Sequence, residues 1–116
     1  MKQIDGSKAL YILLMILIFT ASQAFGQITA YQYNAEWNSA NKVEWMNELT
    51  DCKVGYIDIA VDKESQKKLQ IVVVPTIIIF KDGEEVKRFQ ADISFSMKAT
   101  REEVQEVIDE QLMSDF

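Results

Sequence analysis

Covalent or acid–base chemistry at neutral pH needs a group that can attack, carry a proton or hold a metal, and this sequence has few. It contains no histidine, so the usual general base and the commonest metal ligand are missing. Its one cysteine is Cys52, and a single thiol excludes an internal disulfide and a cysteine zinc cluster. Cys52 stands between Asp51 and Lys53. The acid disfavours a thiolate and the lysine favours it, so no strong activation is expected. Cys52 reads either as a monothiol that couples to a partner or as a small apolar residue at a helix–strand turn. The polar pair Asn38 and Asn41 follows Trp37 directly. Amide side chains donate and accept hydrogen bonds but do not ionise. No cofactor or metal site is expected from this inventory.

The elements that must hold these residues can be traced from periodicity. Ile28 to Asn34, with a threonine and two tyrosines, reads as a strand. Asn38-Ser39 offers a helix N-cap, and Val43, Met46 and Leu49 follow at helical spacing as a short amphipathic helix. Trp45 beside Met46 reads as packing. Val54 to Ala60 is a second strand, and the polar, lysine-rich stretch Asp62 to Leu69 a short surface helix. The run from Ile71 to Phe80 is nearly all apolar. Proline cannot sit inside a central strand, so the third strand should begin after Pro75 and be buried on both faces. Asp82-Gly83 signals a hairpin turn. Glu85 to Gln90 returns as an edge strand, with Val86 and Phe89 reaching the core. Ile93, Phe95 and Met97 alternate as an extended segment would. Thr100 to Glu103 is a capping box, and Val104, Val107, Ile108 and Leu112 form one face of a last helix.

The first 26 residues read as a processing segment rather than as fold. Lys2 and Lys8 give a positive start, and the apolar run from Ala9 to Phe19 has the length of a signal-peptide core, short of the roughly 20 residues of a membrane span. Small residues follow, with cleavage expected before Phe25 or before Gln27. The alternative is an uncleaved anchor extended by Thr20 to Phe25. A membrane partner is expected only in that case. Residues 27–116 then form one small, exported domain. Acids outnumber bases by 18 to 12, which argues against a nucleic-acid partner because phosphate neutralisation needs a basic surface.

Two segments carry a resemblance. Ala35-Glu36-Trp37 followed by Asn38-Ser39-Ala40-Asn41-Lys42 resembles the thioredoxin segment Ala-Glu-Trp-Cys-Gly-Pro-Cys-Lys. Val74-Pro75-Thr76 followed by Ile77 to Glu84 resembles that family's cis-proline loop, strand and Asp/Asn-Gly turn. The resemblance covers about Ile28 to Leu112. It implies an α/β, thioredoxin-like fold: a mixed central sheet of about four strands flanked by three helices. The first strand and helix of full-length thioredoxins are lacking.

The departures bear on activity. Asn38 and Asn41 stand where the resemblance places the two redox cysteines. Gln32 replaces the family's buried acid, and Tyr56 a nearby lysine on the next strand. The resemblance therefore implies a fold retained without its dithiol reaction. It also implies a groove for an extended peptide, with Trp37 supplying apolar contact, Val74 backbone hydrogen bonds by strand addition, and Asn38, Asn41 and a cis Pro75 beside them. The plainer alternative is that Trp37 packs over the helix start while the asparagines cap it. The expected function is a protein- or peptide-binding adaptor acting on another exported protein. A monothiol oxidoreductase using Cys52 or a partner's thiol is the competing enzyme reading, and a structural subunit of an exported assembly the third. The Ile93–Met97 segment is expected either as a binding margin or as a flap over the sheet end.

Overall fold

The computed structural model describes residues 26–115, so the processing segment expected over the first 26 lies outside the described residues except for Gly26. β1 spans Ile28–Asn34, β2 Lys53–Asp58, β3 Thr76–Lys81 and β4 Glu84–Gln90. They form one sheet in the order β2-β1-β3-β4. β1 runs parallel to β2 and antiparallel to β3, and β3 antiparallel to β4. Among the described residues there are also two α-helices, α1 (Lys63–Leu69) and α2 (Arg101–Met113), and two short 3-10 helices. This is the mixed four-stranded sheet with helical segments on both faces that the sequence implies.

Burial follows from the pattern of β3. Ile77, Ile78 and Ile79 are all fully buried, which alternation allows only if both faces of the strand are covered. On one face Ile77 and Ile79 pack with Ala30, Val104 and Ile108, under α2 and the 3-10 segments. On the other, Ile78 packs with Tyr33, Ile59, Ile71 and Val74. Local chemistry sets the ends of several elements. Asp62 caps α1 by accepting from the Ser65 N–H, and Thr100 caps α2 by accepting from the Glu103 N–H at 3.2 Å. Asp82 and Gly83 both have positive φ, 53° and 83°, the geometry of a two-residue turn whose twist matches its strands.

Three expectations fail for identifiable reasons. Val43, Met46 and Leu49 are buried as expected, but not on an amphipathic α-helix. The segment forms 3-10 helices at Glu36–Asn41 and Met46–Glu48. Gln32 of β1 accepts from the Val43 N–H at 2.7 Å and donates to the Val43 carbonyl at 3.2 Å. Both backbone groups of Val43 are thereby taken from any helical ladder, and a spacing of three residues suits the 3-10 period equally well. Val86 is exposed rather than in the core, because the pairing slips by one residue between Ile79 and Phe80 and leaves Val86 as the extra residue of a bulge. Ile93 to Met97 is not extended. Asp92 accepts from the Ser94 N–H, its carbonyl accepts from the Phe95 N–H, and Phe95 takes φ 60°, which folds the segment into a turn.

Tyr33, buried between β1 and the α1 side, gives the fold a pH dependence. Burial first, then the nearby Tyr31, Asp62 and Glu85 charges, push its phenol up to about 12. An unfolded chain releases that proton near about pH 10. Between these values the unfolded state binds fewer protons than the folded one, so stability declines as pH rises through the window. Urea unfolding should show the midpoint falling across it, and falling less in Tyr33→Phe.

Candidate functional site

At the C-terminal end of β1 the backbone turns directly into the first 3-10 helix. This brings Asn34, Asn38 and Asn41 together beside the loop before β3. Asn38 is almost fully buried, at 5% exposure. Its side-chain amide lies 3.1 Å from Asn34 Oδ1, 3.1 Å from the Phe95 carbonyl and 3.4 Å from the Val74 carbonyl. Its own oxygen accepts from Asn41 Nδ2 at 2.9 Å, and the Asn38 carbonyl accepts from Asn34 Nδ2 at 3.3 Å. One neutral side chain thus joins β1, the 3-10 helix, the loop before Pro75 and the 92–96 turn.

This is not the N-cap role expected of Asn38. The residue preceding the 3-10 helix is Ala35, no side chain caps it, and Asn38 itself has a non-helical conformation within it. The reason is the buried polar end of β1: Asn34 is fully buried, and a buried amide must find partners. Asn34 is the site residue that periodicity missed. The only available signal was a second amide four residues before Asn38.

The other expected residues are placed as follows. The Val74–Pro75 peptide is cis, and both residues border the Asn38 amide through the Val74 carbonyl. That carbonyl, expected to be offered to a peptide, therefore has an internal donor, though at the longest of the Asn38 distances. Trp37 is 67% exposed and stands edge-on to Phe95, ring centroids 5.3 Å apart. It is not packed into the core. Ile93, in the same turn as Phe95, is 97% exposed. Tyr56 lies on the β2 edge with the Lys42 ammonium 5.0 Å from its ring centroid, a cation–π contact.

Two features bear on reactivity. Gln32, in the position of the family's buried acid, is buried and has both amide groups engaged by Val43, so it neither ionises nor relays a proton. Cys52 is half-buried against the core under α2. Burial first, then Asp51, pushes its thiol up from the ordinary value, the opposite of what a nucleophilic thiolate needs. Among the described residues no group of three or more metal-ligating side chains is gathered, and no helix is long and apolar enough to cross a membrane.

No protein-family model matches the chain. A stretch of 39 residues is 44% identical to the thioredoxins of Mycobacterium bovis and Mycobacterium tuberculosis. That match spans 34% of this chain and 34% of each of those proteins. Solved structures extend the likeness over most of the chain. Fasciola hepatica thioredoxin is 26% identical, with 82% of this chain and 90% of that one covered and a TM-score of 0.55. A mutant thioredoxin from Halobacterium salinarum is 21% identical, covering 74% and 75%, with a TM-score of 0.60. Schistosoma mansoni thioredoxin is 21% identical, covering 81% and 85%, with a TM-score of 0.56. With one cysteine in the sequence, this chain is a thioredoxin-like domain without the family's pair of redox cysteines.

Proposed function

We propose that this chain is an exported binding or adaptor domain that holds an extended segment of another exported protein at the Trp37 end of its sheet and carries out no dithiol chemistry. The observation that supports this is the contrast between two adjacent residues. Asn38 is buried and bonded on every side, whereas Trp37 is turned outward and braced by Phe95. The position of chemistry has become structure, and the position of contact has stayed open. The Trp37 ring, with the partly exposed Phe95 against it, supplies apolar area. Backbone hydrogen bonds contribute only roughly 0.5–1.5 kcal/mol each, and ordering offsets much of the gain, so affinity from this patch is modest. The charged start, short apolar core and small-residue exit of the first 26 residues support export.

Trp37→Ala tests the reading on protein recovered from the exported fraction, with the N-terminus read by intact mass. Capture of the partner should fall at least about tenfold, since aromatic anchors dominate many interfaces. Stability should change by less than about 1 kcal/mol, because the ring is largely exposed. A strong loss of stability with capture per folded molecule unchanged sinks the groove. An intact N-terminus in the membrane fraction sinks cleavage.

A further inference from the structure

Among the described residues the sheet ends at β4 on one side and β2 on the other, and these two edges are built differently. β4 carries Glu84, Glu85, Lys87 and Arg88 and a bulge at Val86. Charges and bulges are how a free edge avoids pairing. β2, the other edge, has neither. Its charges, Lys53 and Asp58, sit at its two ends, and Val54-Gly55-Tyr56-Ile57 between them is uncharged. The Ile59 N–H donates to the Asn34 carbonyl, and backbone direction alternates along a strand. Gly55 and Ile57 therefore turn their backbone groups to β1, and Val54 and Tyr56 turn theirs to the open side.

We infer that this edge pairs with β2 of a second copy of the chain, antiparallel, about a two-fold axis at Gly55. A two-fold pairing must set residues of the same sheet face opposite each other. With the axis at Gly55, Val54 faces the partner's Tyr56 and Tyr56 faces the partner's Val54. These are the residues whose N–H and C=O groups point outward, so both pairs are hydrogen-bonded ones. Each is also a β-branched–aromatic pair, a favourable cross-strand combination. Gly55 meets Gly55 as the close, non-bonded pair. A Cβ at Gly55 would come within 2.7 Å of the Tyr31 ring of the same chain, so packing within the chain already requires glycine at this position.

Two further observations fit this occupant. A cleft of about 170 Å³ opens over the same face of the edge, lined by Val54, Tyr56, Lys42, Met46 and Asn47 among others. The partner's Tyr56, opposite Val54, arrives at its mouth. Charge near the edge is mixed, with Lys42 and Lys53 beside Glu36, Glu44 and Asp58, and so is less one-sided than the −6 of the whole chain.

Sedimentation and amide hydrogen exchange of the protein in the form its host produces, from micromolar to millimolar concentration, test the pairing. A monomer–dimer equilibrium is expected. The Val54 and Tyr56 amides should slow at least about tenfold as the dimer fills, while those of Gly55 and Ile57, already bonded to β1, stay unchanged. Val54→Glu alone and Tyr56→Lys alone should each weaken association at least about tenfold. Together they should restore it, because the two introduced charges then face each other across the axis. A chain that stays monomeric throughout overturns the inference. So does a dimer whose Val54 and Tyr56 amides are not slowed, or a double variant no better than the singles when circular dichroism shows all three folded.

Discussion

Asn38→Ala should lower the unfolding free energy by about 2–4 kcal/mol, whereas Asn41→Ala should lower it by less than about 1 kcal/mol. Both residues occupy positions where the resemblance places a redox cysteine, yet their surroundings differ. Asn41 is exposed and makes one side-chain hydrogen bond. Asn38 is buried, and its two amide N–H groups are shared among the Asn34 oxygen and the carbonyls of Phe95 and, at the longest distance, Val74, so its removal strands two of these acceptors. A buried polar group left without a partner loses its hydration with nothing in return, about 1–3 kcal/mol apiece. Water entering the vacated space relieves part of this, which keeps the expected value below the full sum. Urea denaturation of the two variants beside wild type decides it. A loss below about 0.5 kcal/mol for Asn38→Ala would show that the network is incidental.

Insulin-disulfide reduction with a suitable electron donor should show no dithiol turnover, and the double variant Asn38→Cys, Asn41→Cys should recover little. Wild type lacks both thiols, and Cys52 is held away from the thiolate form by burial. In the double variant the thiols return but their activation does not. A proton-handling group contributes typically 10²–10⁴-fold to a transfer of this kind. The resemblance assigns that role to the position of Gln32, whose amide is committed to Val43 on both sides. A lowered thiol pKa also depends on the aligned peptides of a helix N-terminus. Here the segment is a six-residue 3-10 helix with Asn38 out of helical geometry. Turnover at least about 100-fold below an ordinary thioredoxin follows. The double variant also gives up the Asn38 network, so activity is to be scaled to the folded fraction. Full thioredoxin-like rates would show that neither Gln32 nor the altered helix matters.

What the sequence by itself determined here is the chemistry of near neighbours. Ile28–Asn34 is a strand to the residue, because its β-rich composition ends where Ala35-Glu36 begins. Pro75 sets the start of β3, the Asp82-Gly83 pair closes its hairpin, and Thr100 starts α2, each through a constraint acting within four residues. The one-cysteine count decided the absence of a dithiol without any coordinates. Tertiary structure decided whatever depends on partners far along the chain. Gln32 meets Val43 eleven residues away and converts an amphipathic helix into 3-10 turns. Asn38 meets Val74 and Phe95, 36 and 57 residues away, and becomes a buried joint instead of a cap. Val86 leaves the core through a bulge that only strand pairing can create. Periodicity records which side of an element is apolar, and so it found the core. It carries no information about which distant carbonyl a buried amide reaches, and that choice is made by the order in which the strands lie side by side.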